Sequence, residues 1–218
     1  MLTLEFHCHT HASKDSLTRP EELIRIARKK GLDRLVITDH NSTAGALAAR
    51  KLDPELVIVG EEIMTTRGEI LAAFVQEEIP AGLTPMETIR ILKEQGAFIS
   101  VSHPFDTLRK GGWLENDLLE IVPYVDAIEI FNSRCMDPRF NWRAQAFAQT
   151  HNLPGTAGSD AHGLIEVGRS VMALVPFKGP DEMRSVIRGA KFKTKLSPWW
   201  VHFISRYASM KKKRAQVR

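Results

Sequence analysis

At 218 residues and 43% apolar content the chain is long enough for one substantial core, and it carries no 18-residue apolar run that predicts a transmembrane helix. Its start lacks a basic stretch followed by an apolar one, and Cys8 and Cys135 cannot form a disulfide framework, so a reducing, cytoplasmic setting is expected. The net charge of +4 hides a split: no acidic residue follows Glu182, and the preceding body has a balance of −7, which argues against a broad nucleic-acid-binding face there and suits a site that concentrates cations.

Leu2–Phe6 reads as a first strand running into His7-Cys8-His9. Thr18-Arg19-Pro20-Glu21 starts a helix that stops at Gly31, with Pro20 in its first turn. Arg34–Thr38 is a strand ending at Asp39-His40, and Ala44–Lys51 is helical. Leu56–Val59 is a strand running into Gly60-Glu61-Glu62, Ile70–Val75 another, and Met86–Gln95 a helix. Ala97–Val101 ends at Ser102-His103-Pro104. Helix Asp117–Val122, strand Asp126–Phe131 ending at Asn132, and helix Phe140–His151 follow. Gly155–Gly158 leads to Ser159-Asp160-Ala161-His162, and Val171–Val175 and Pro180–Arg188 close the pattern as strand and helix.

Strand then helix, repeated about seven times, predicts parallel strands with helices outside. Polar side chains at almost every strand end favour a closed barrel, whose C-terminal rim builds the site, over an open sheet with one switch point. Residues two apart on a strand share a face, so His7 and His9 can aim at one point with Cys8 turned away. Asp160-Ala161-His162 repeats that alternation. His7, His9, Asp15, Asp39, His40, Glu62, His103, Asp160 and His162 form a nitrogen and carboxylate set suited to zinc, manganese or iron. Each piece alone is compatible with ordinary turn chemistry; five strand ends carrying such groups point to a metal cluster.

His7-Cys8-His9-Thr10, Ser13-Lys14-Asp15-Ser16, Ile37-Thr38-Asp39-His40-Asn41, Gly60-Glu61-Glu62, Ser102-His103-Pro104 and Gly158-Ser159-Asp160-Ala161-His162 resemble, in order, the motifs of the PHP (polymerase and histidinol phosphatase) superfamily. The resemblance implies a single-domain α/β fold, a distorted (β/α)7 TIM-like barrel over residues 1–190, with two or three divalent ions (Zn, Mn or Fe) at the rim. It implies that His7 and His9 hold one ion with Glu62 and Asp160, that Glu62 bridges to a second held by His103, and that Asp15, His40 and His162 hold a third. Asp39 is expected to orient its neighbours. Many members carry a further histidine in the stretch matching Gly68–Phe74; this chain has none, which puts the second ion in doubt.

The implied activity is a hydrolase, a phosphoesterase that cleaves a phosphate mono- or diester by attack of a metal-bound hydroxide. The substrate would be a phosphorylated small molecule or a short nucleic acid, and Asn132 and Arg134 are candidates to hold its phosphate, with Arg109, Lys110 and Arg169 behind them. Alternatives are a non-catalytic metal-binding module and a metal-dependent amide hydrolase. Residues 191–218 read as a basic aromatic tail: a helix with its aromatic side on the barrel, or a segment that touches a membrane surface or nucleic acid.

Overall fold

A computed structural model describes residues 1–216. Nine strands form one sheet: β1 (Leu2–Glu5), β2 (Arg34–Ile37), β3 (Val57–Met64), β4 (Glu69–Ala73), β5 (Phe98–Val101), β6 (Ala127–Asn132), β7 (Gly155–Gly158), β8 (Val171–Leu174) and β9 (Lys191–Lys193). Their order is β7-β6-β5-β4-β3-β2-β1-β8-β9. The sheet curls until β7 returns to the end of β1: His9 donates its backbone N–H to the Ala161 carbonyl beyond β7 at 2.9 Å, and Cys8 pairs with Ala161. The result is a nearly closed, barrel-like α/β domain. A Cβ at residue 158 would run into the Cβ of His7, so Gly158 is what lets β7 approach β1 this closely.

Seven helices cover the outside: α1 (Pro20–Lys29), α2 (Ala44–Leu52), α3 (Pro85–Glu94), α4 (Glu115–Ile121), α5 (Pro138–Thr150), α6 (Pro180–Val186) and α7 (His202–Gln216). Pro20 and Pro85 occupy first turns, and α3 starts with a reciprocal cap in which Glu87 N–H donates to Thr84 Oγ1 and Thr84 N–H donates to Glu87 Oε2. Leu23, Ala46, Ile89, Leu118 and Phe147 pack against the outward residues of the strands, Leu35, Ile37, Val59, Ile70 and Ile99 among them. A second core of Leu4, Phe6, Val36, Ile58, Leu71, Phe98 and Met172 fills the barrel.

The strands are not uniformly parallel. β3 runs through Met64 and hairpins directly into β4, so β4 is antiparallel to both β3 and β5; β8 is antiparallel to β1 and β9. Glu61 and Glu62 therefore lie within a strand and are buried rather than in a solvated loop. Helix α7 departs from the expectation for the tail. Ala208 in α7 and Val201 in the turn before it are buried, whereas Trp199, Phe203 and Tyr207 are exposed. The tail is held by polar contacts: Arg134 Nη2 donates to Ser205 Oγ at 2.8 Å, and Lys212 Nζ donates to the His11 and Ser13 carbonyls. Among the described residues no helix is long and apolar enough to cross a membrane.

Candidate metal centre

The alternation of β1 slips by one residue where the strand ends. Leu2, Leu4 and Phe6 belong to the barrel interior, yet Cys8 packs in the outer core and His7 and His9 turn inward. Both imidazoles are buried, their ring centroids 5.1 Å apart. Glu62 lies two strands away and reaches between them: its Oε2 is 3.3 Å from His7 Nε2 and 3.5 Å from His9 Nε2. Asp160 follows β7 in a left-handed conformation (φ 51°), which Asp tolerates better than most residues and which turns its carboxylate back over the rim. Its Oδ1 is 3.2 Å from His9 Nε2 and 3.6 Å from His7 Nε2.

The other motif residues join the same cluster. His40 Nδ1 is 3.1 Å from Glu62 Oε2, and its Nε2 is 3.5 Å from Asp15 Oδ2. His162 Nε2 is 3.3 Å from the same Asp15 oxygen, and His103 Nε2 is 3.2 Å from Glu62 Oε1. The histidines and carboxylates at five strand ends thus converge. His11 does not; it is exposed. Glu61 faces away, accepting the Ile79 N–H at 3.0 Å.

Two classes of distance separate the roles of the imidazole nitrogens. Nδ1 of His7 lies 2.9 Å from Glu129 Oε1, Nδ1 of His9 3.0 Å from Ser13 Oγ, and Nδ1 of His162 2.9 Å from the Asp160 carbonyl, all hydrogen-bond lengths. Glu129 and the carbonyl only accept. Ser13 spends its hydroxyl proton on Asp39 Oδ1 at 2.6 Å, so it accepts from His9. Each Nδ1 therefore carries a proton, which leaves Nε2 as the nitrogen each ring can turn to an ion. The Nε2 atoms face carboxylate oxygens at 3.2 to 3.6 Å, longer than charged hydrogen bonds of about 2.7–2.9 Å. Those separations match the edge of a coordination tetrahedron, about 3.3 Å for bonds of roughly 2.0–2.1 Å. Buried His7 Nε2, Asp15 Oδ1 and Glu62 Oε2 have no hydrogen-bond partner. Orphaned donors at such spacing fit a divalent ion.

The charges are interlocked. Burial works against a charged His7, but Glu62, Asp160 and Glu129 outweigh it and hold its pKa well above the imidazole range. Burial, with His162 and His40 close by, depresses His9 to about 3. Glu62 and Asp160 overcome burial and stay well below the carboxylate range, Glu62 through His7 and His40, Asp160 through Arg109 and His7.

Asp39 points away from the Nε2 cluster. It accepts from Thr10 N–H (2.7 Å), Thr10 Oγ1 (2.6 Å) and Ser13, and so shapes the loop that carries Asp15. Asn132 is committed to protein partners: Nδ2 donates to Glu129 Oε2 and Asp160 Oδ2 at 3.1 and 3.2 Å, and Oδ1 accepts the Arg134 N–H at 2.8 Å. A register shift between Glu129 and Phe131 puts Glu129 and Asn132 on one side of β6 despite their odd spacing. Arg134 is buried, and its Nη1 has no partner. Arg109 pairs with Asp160 Oδ2 and, at 3.0 Å, with Asp106. Arg169 is elsewhere, donating to the Leu196 carbonyl.

Three structural residues escaped the sequence reading: Glu5, Glu69 and Glu166. Glu5 accepts the N–H groups of Ser159 and Gly168 at 2.8 and 2.9 Å and so fixes the turn before Asp160; burial pushes its pKa to about 7. Glu166 accepts the His162 N–H and lies 3.6 Å from Arg134 Nε. Their signal was present only as single acidic residues in or beside apolar strands.

Over the cluster opens a cleft of about 300 Å³ lined by Lys14, Asp15, His40, Glu69, His103, Arg109, Lys110, Arg134, His162, His202 and Ser205, among others. A larger cleft of about 490 Å³ lies at the opposite end of β2 and β3 and contains none of the clustered histidines.

The family model for the PHP domain matches residues 5–89, and a model described as PHP-associated matches residues 138–192. The chain belongs to the PHP superfamily. An uncharacterized protein of Methanocaldococcus jannaschii is 34% identical over 187 residues, covering 84% of this chain and 75% of the relative. Among solved structures, PsfC from Pseudomonas syringae superposes with a TM-score of 0.71 at 18% identity, over 96% of this chain and 98% of that one. A two-domain protein from Bacteroides vulgatus containing a predicted PHP-like metal-dependent phosphoesterase gives a TM-score of 0.71 at 21% identity, over 89% of this chain and 65% of that one. At such identities these structures show the shared fold. With the PHP match and the His and carboxylate clusters, the chain is a metal-dependent hydrolase of this superfamily.

Proposed function

We propose that this PHP hydrolase is a phosphoesterase whose rim holds two or three divalent ions, zinc, manganese or iron. The observation that carries the reading is the set of Nε2 and carboxylate oxygen atoms spaced at coordination-edge distances beneath a cleft walled by Lys14, Arg109, Lys110 and Arg134. His7, His9, Glu62 and Asp160 are assigned to one ion, Glu62 and His103 to a second, and Asp15, His40 and His162 to a third. Such ions supply Lewis acidity at phosphoryl oxygens and a water that deprotonates near neutral pH.

The side chains do the rest. Arg134 Nη1, unpartnered and buried beside the cleft, binds a phosphate oxygen, while Ser205 and Glu166 hold the rest of the guanidinium. Asn132 and Asp39 are positioning residues, since their polar atoms are used within the protein. Glu129 and Ser13 orient His7 and His9. Residues 1–190 carry the catalytic barrel, and the segment after them adds β9 to its sheet and, through α7, brings His202 and Ser205 to the cleft wall. The cleft volume suits a phosphorylated small molecule or the end of a short nucleic acid.

The test is to strip the protein of metal, reload it with manganese or zinc, and assay aryl phosphate mono- and diesters. Hydrolysis that needs metal and is lost in His9→Ala supports the reading; metal-loaded protein that cleaves neither ester overturns it.

A further inference from the structure

The antiparallel course of β4 changes what stands at the rim. A parallel strand brings its last residues there; β4 brings its first. Leu71 pairs with Glu62, and both side chains point into the barrel. Glu69 is two residues before Leu71, on the same face and one step nearer the rim. Its carboxylate is 93% buried and reaches the two imidazoles that Glu62 also touches. Glu69 Oε2 is 3.4 Å from His103 Nε2, and Oε1 is 3.6 Å from His40 Nδ1. Both separations exceed a charged hydrogen bond and match a coordination edge, as in the rest of the centre. His40, Glu62 and Glu69 each place a donor atom within 4.8 Å of the others.

Glu69 is held from three sides. Its N–H donates to the Gly111 carbonyl at 3.1 Å, and its own carbonyl accepts from Trp113 Nε1 at 3.1 Å and from the Ser102 N–H at 3.2 Å. A Cβ at residue 111 would strike the carboxylate, so Gly111 leaves the space that the side chain fills. When those imidazoles are neutral, as metal ligation requires, the two buried carboxylates leave negative charge that a cation between them offsets.

We propose that Glu69 is a ligand of the second ion, filling with Glu62 and His103 the place where many PHP proteins carry a histidine, and that this shifts the site's preference from zinc toward manganese relative to a histidine there. The proposal rests on the metal-dependent reading above. Two carboxylates and one imidazole form an oxygen-rich set, which suits Mn²⁺; an added imidazole suits Zn²⁺ better.

The experiment loads metal-free full-length protein with Mn²⁺ or Zn²⁺. Bound ions are counted by elemental analysis, and Mn²⁺ affinities are measured by electron paramagnetic resonance and calorimetry, for wild type, Glu69→Gln and Glu69→His. The expected result is that Glu69→Gln binds one fewer Mn²⁺, or binds its weakest one at least about tenfold less tightly. Glu69→His recovers the lost equivalent with Zn²⁺ rather than Mn²⁺. Circular dichroism melts confirm that each variant is folded, and the two substitutions test the site independently. If both variants bind the wild-type number of Mn²⁺ ions with unchanged affinities, Glu69 is not a ligand while the metal centre stands. If wild type binds no ion, the metal-dependent reading fails and this inference falls with it.

Discussion

His7 gives its Nδ1 proton to Glu129 Oε1 at 2.9 Å, and the other oxygen of Glu129 accepts the His103 N–H at 2.8 Å. One buried carboxylate thus sets the tautomer of one proposed ligand and the backbone position of another. Glu129→Gln keeps an acceptor oxygen but removes the charge that makes the imidazole a stronger donor to metal. Metal affinity is expected to fall about 10–100-fold with little change in fold. Calorimetric titration of the metal-free variant checks this; wild-type affinity would remove Glu129 from the centre.

How much of this was legible depended on whether a residue's face followed from simple spacing. His7 and His9, like Asp160 and His162, sit two apart at strand ends, so their convergence was readable once the barrel was inferred. Glu69 was not, because nothing in Gly68–Phe74 announces an antiparallel strand that reaches the rim with its first residue. Glu129 and Asn132 were readable as rim residues, but the shifted register that puts residues three apart on one side of β6 hid their contact with each other. Ser205 and His202 arrive from a helix whose polar contacts, not its aromatic stripe, decide how it docks.

A metal bound at the proposed centre should also contribute to stability, because the clustered donors are assembled only in the folded chain. At an ion concentration 100 times Kd the native state gains about 2.7 kcal/mol. For a domain of this size chelation should lower Tm by about 5–10 °C. Scanning calorimetry with and without a chelator measures it, and re-addition of Mn²⁺ or Zn²⁺ should restore the lost stability. An unchanged Tm would mean that the cluster holds no ion tightly.

If the protein is the phosphoesterase proposed above, Arg134 and Ser205 separate phosphate binding from its support. Arg134→Lys keeps a charge but loses the fork, and kcat/KM for a phosphate ester should drop about 10–100-fold, the worth of one charge-assisted hydrogen bond. Ser205→Ala removes only the α7 hydroxyl that holds Nη2 at 2.8 Å, and should cost roughly threefold, chiefly in KM. Steady-state kinetics on both variants decides; a larger loss in Ser205→Ala than in Arg134→Lys would assign the contact to the hydroxyl.

Glu61 provides a pH test away from the ions. Its side chain is buried, its Oε2 accepts the Ile79 N–H at 3.0 Å, and its Oε1 has no partner. Burial, with Glu78 nearby, raises its pKa from 4.5 to about 8. Between those values the folded chain holds a proton that the unfolded chain has released, so stability is greatest below the unfolded value and falls as pH rises toward 8. The full cost of ionising the buried carboxyl is roughly 2–5 kcal/mol. Glu61→Gln keeps the acceptor for Ile79 and cannot ionise. The variant should match wild type near pH 5 and exceed it near pH 8, read as the difference in urea unfolding free energy at each pH. Parallel pH profiles for the two proteins would show that Glu61 does not titrate in this range.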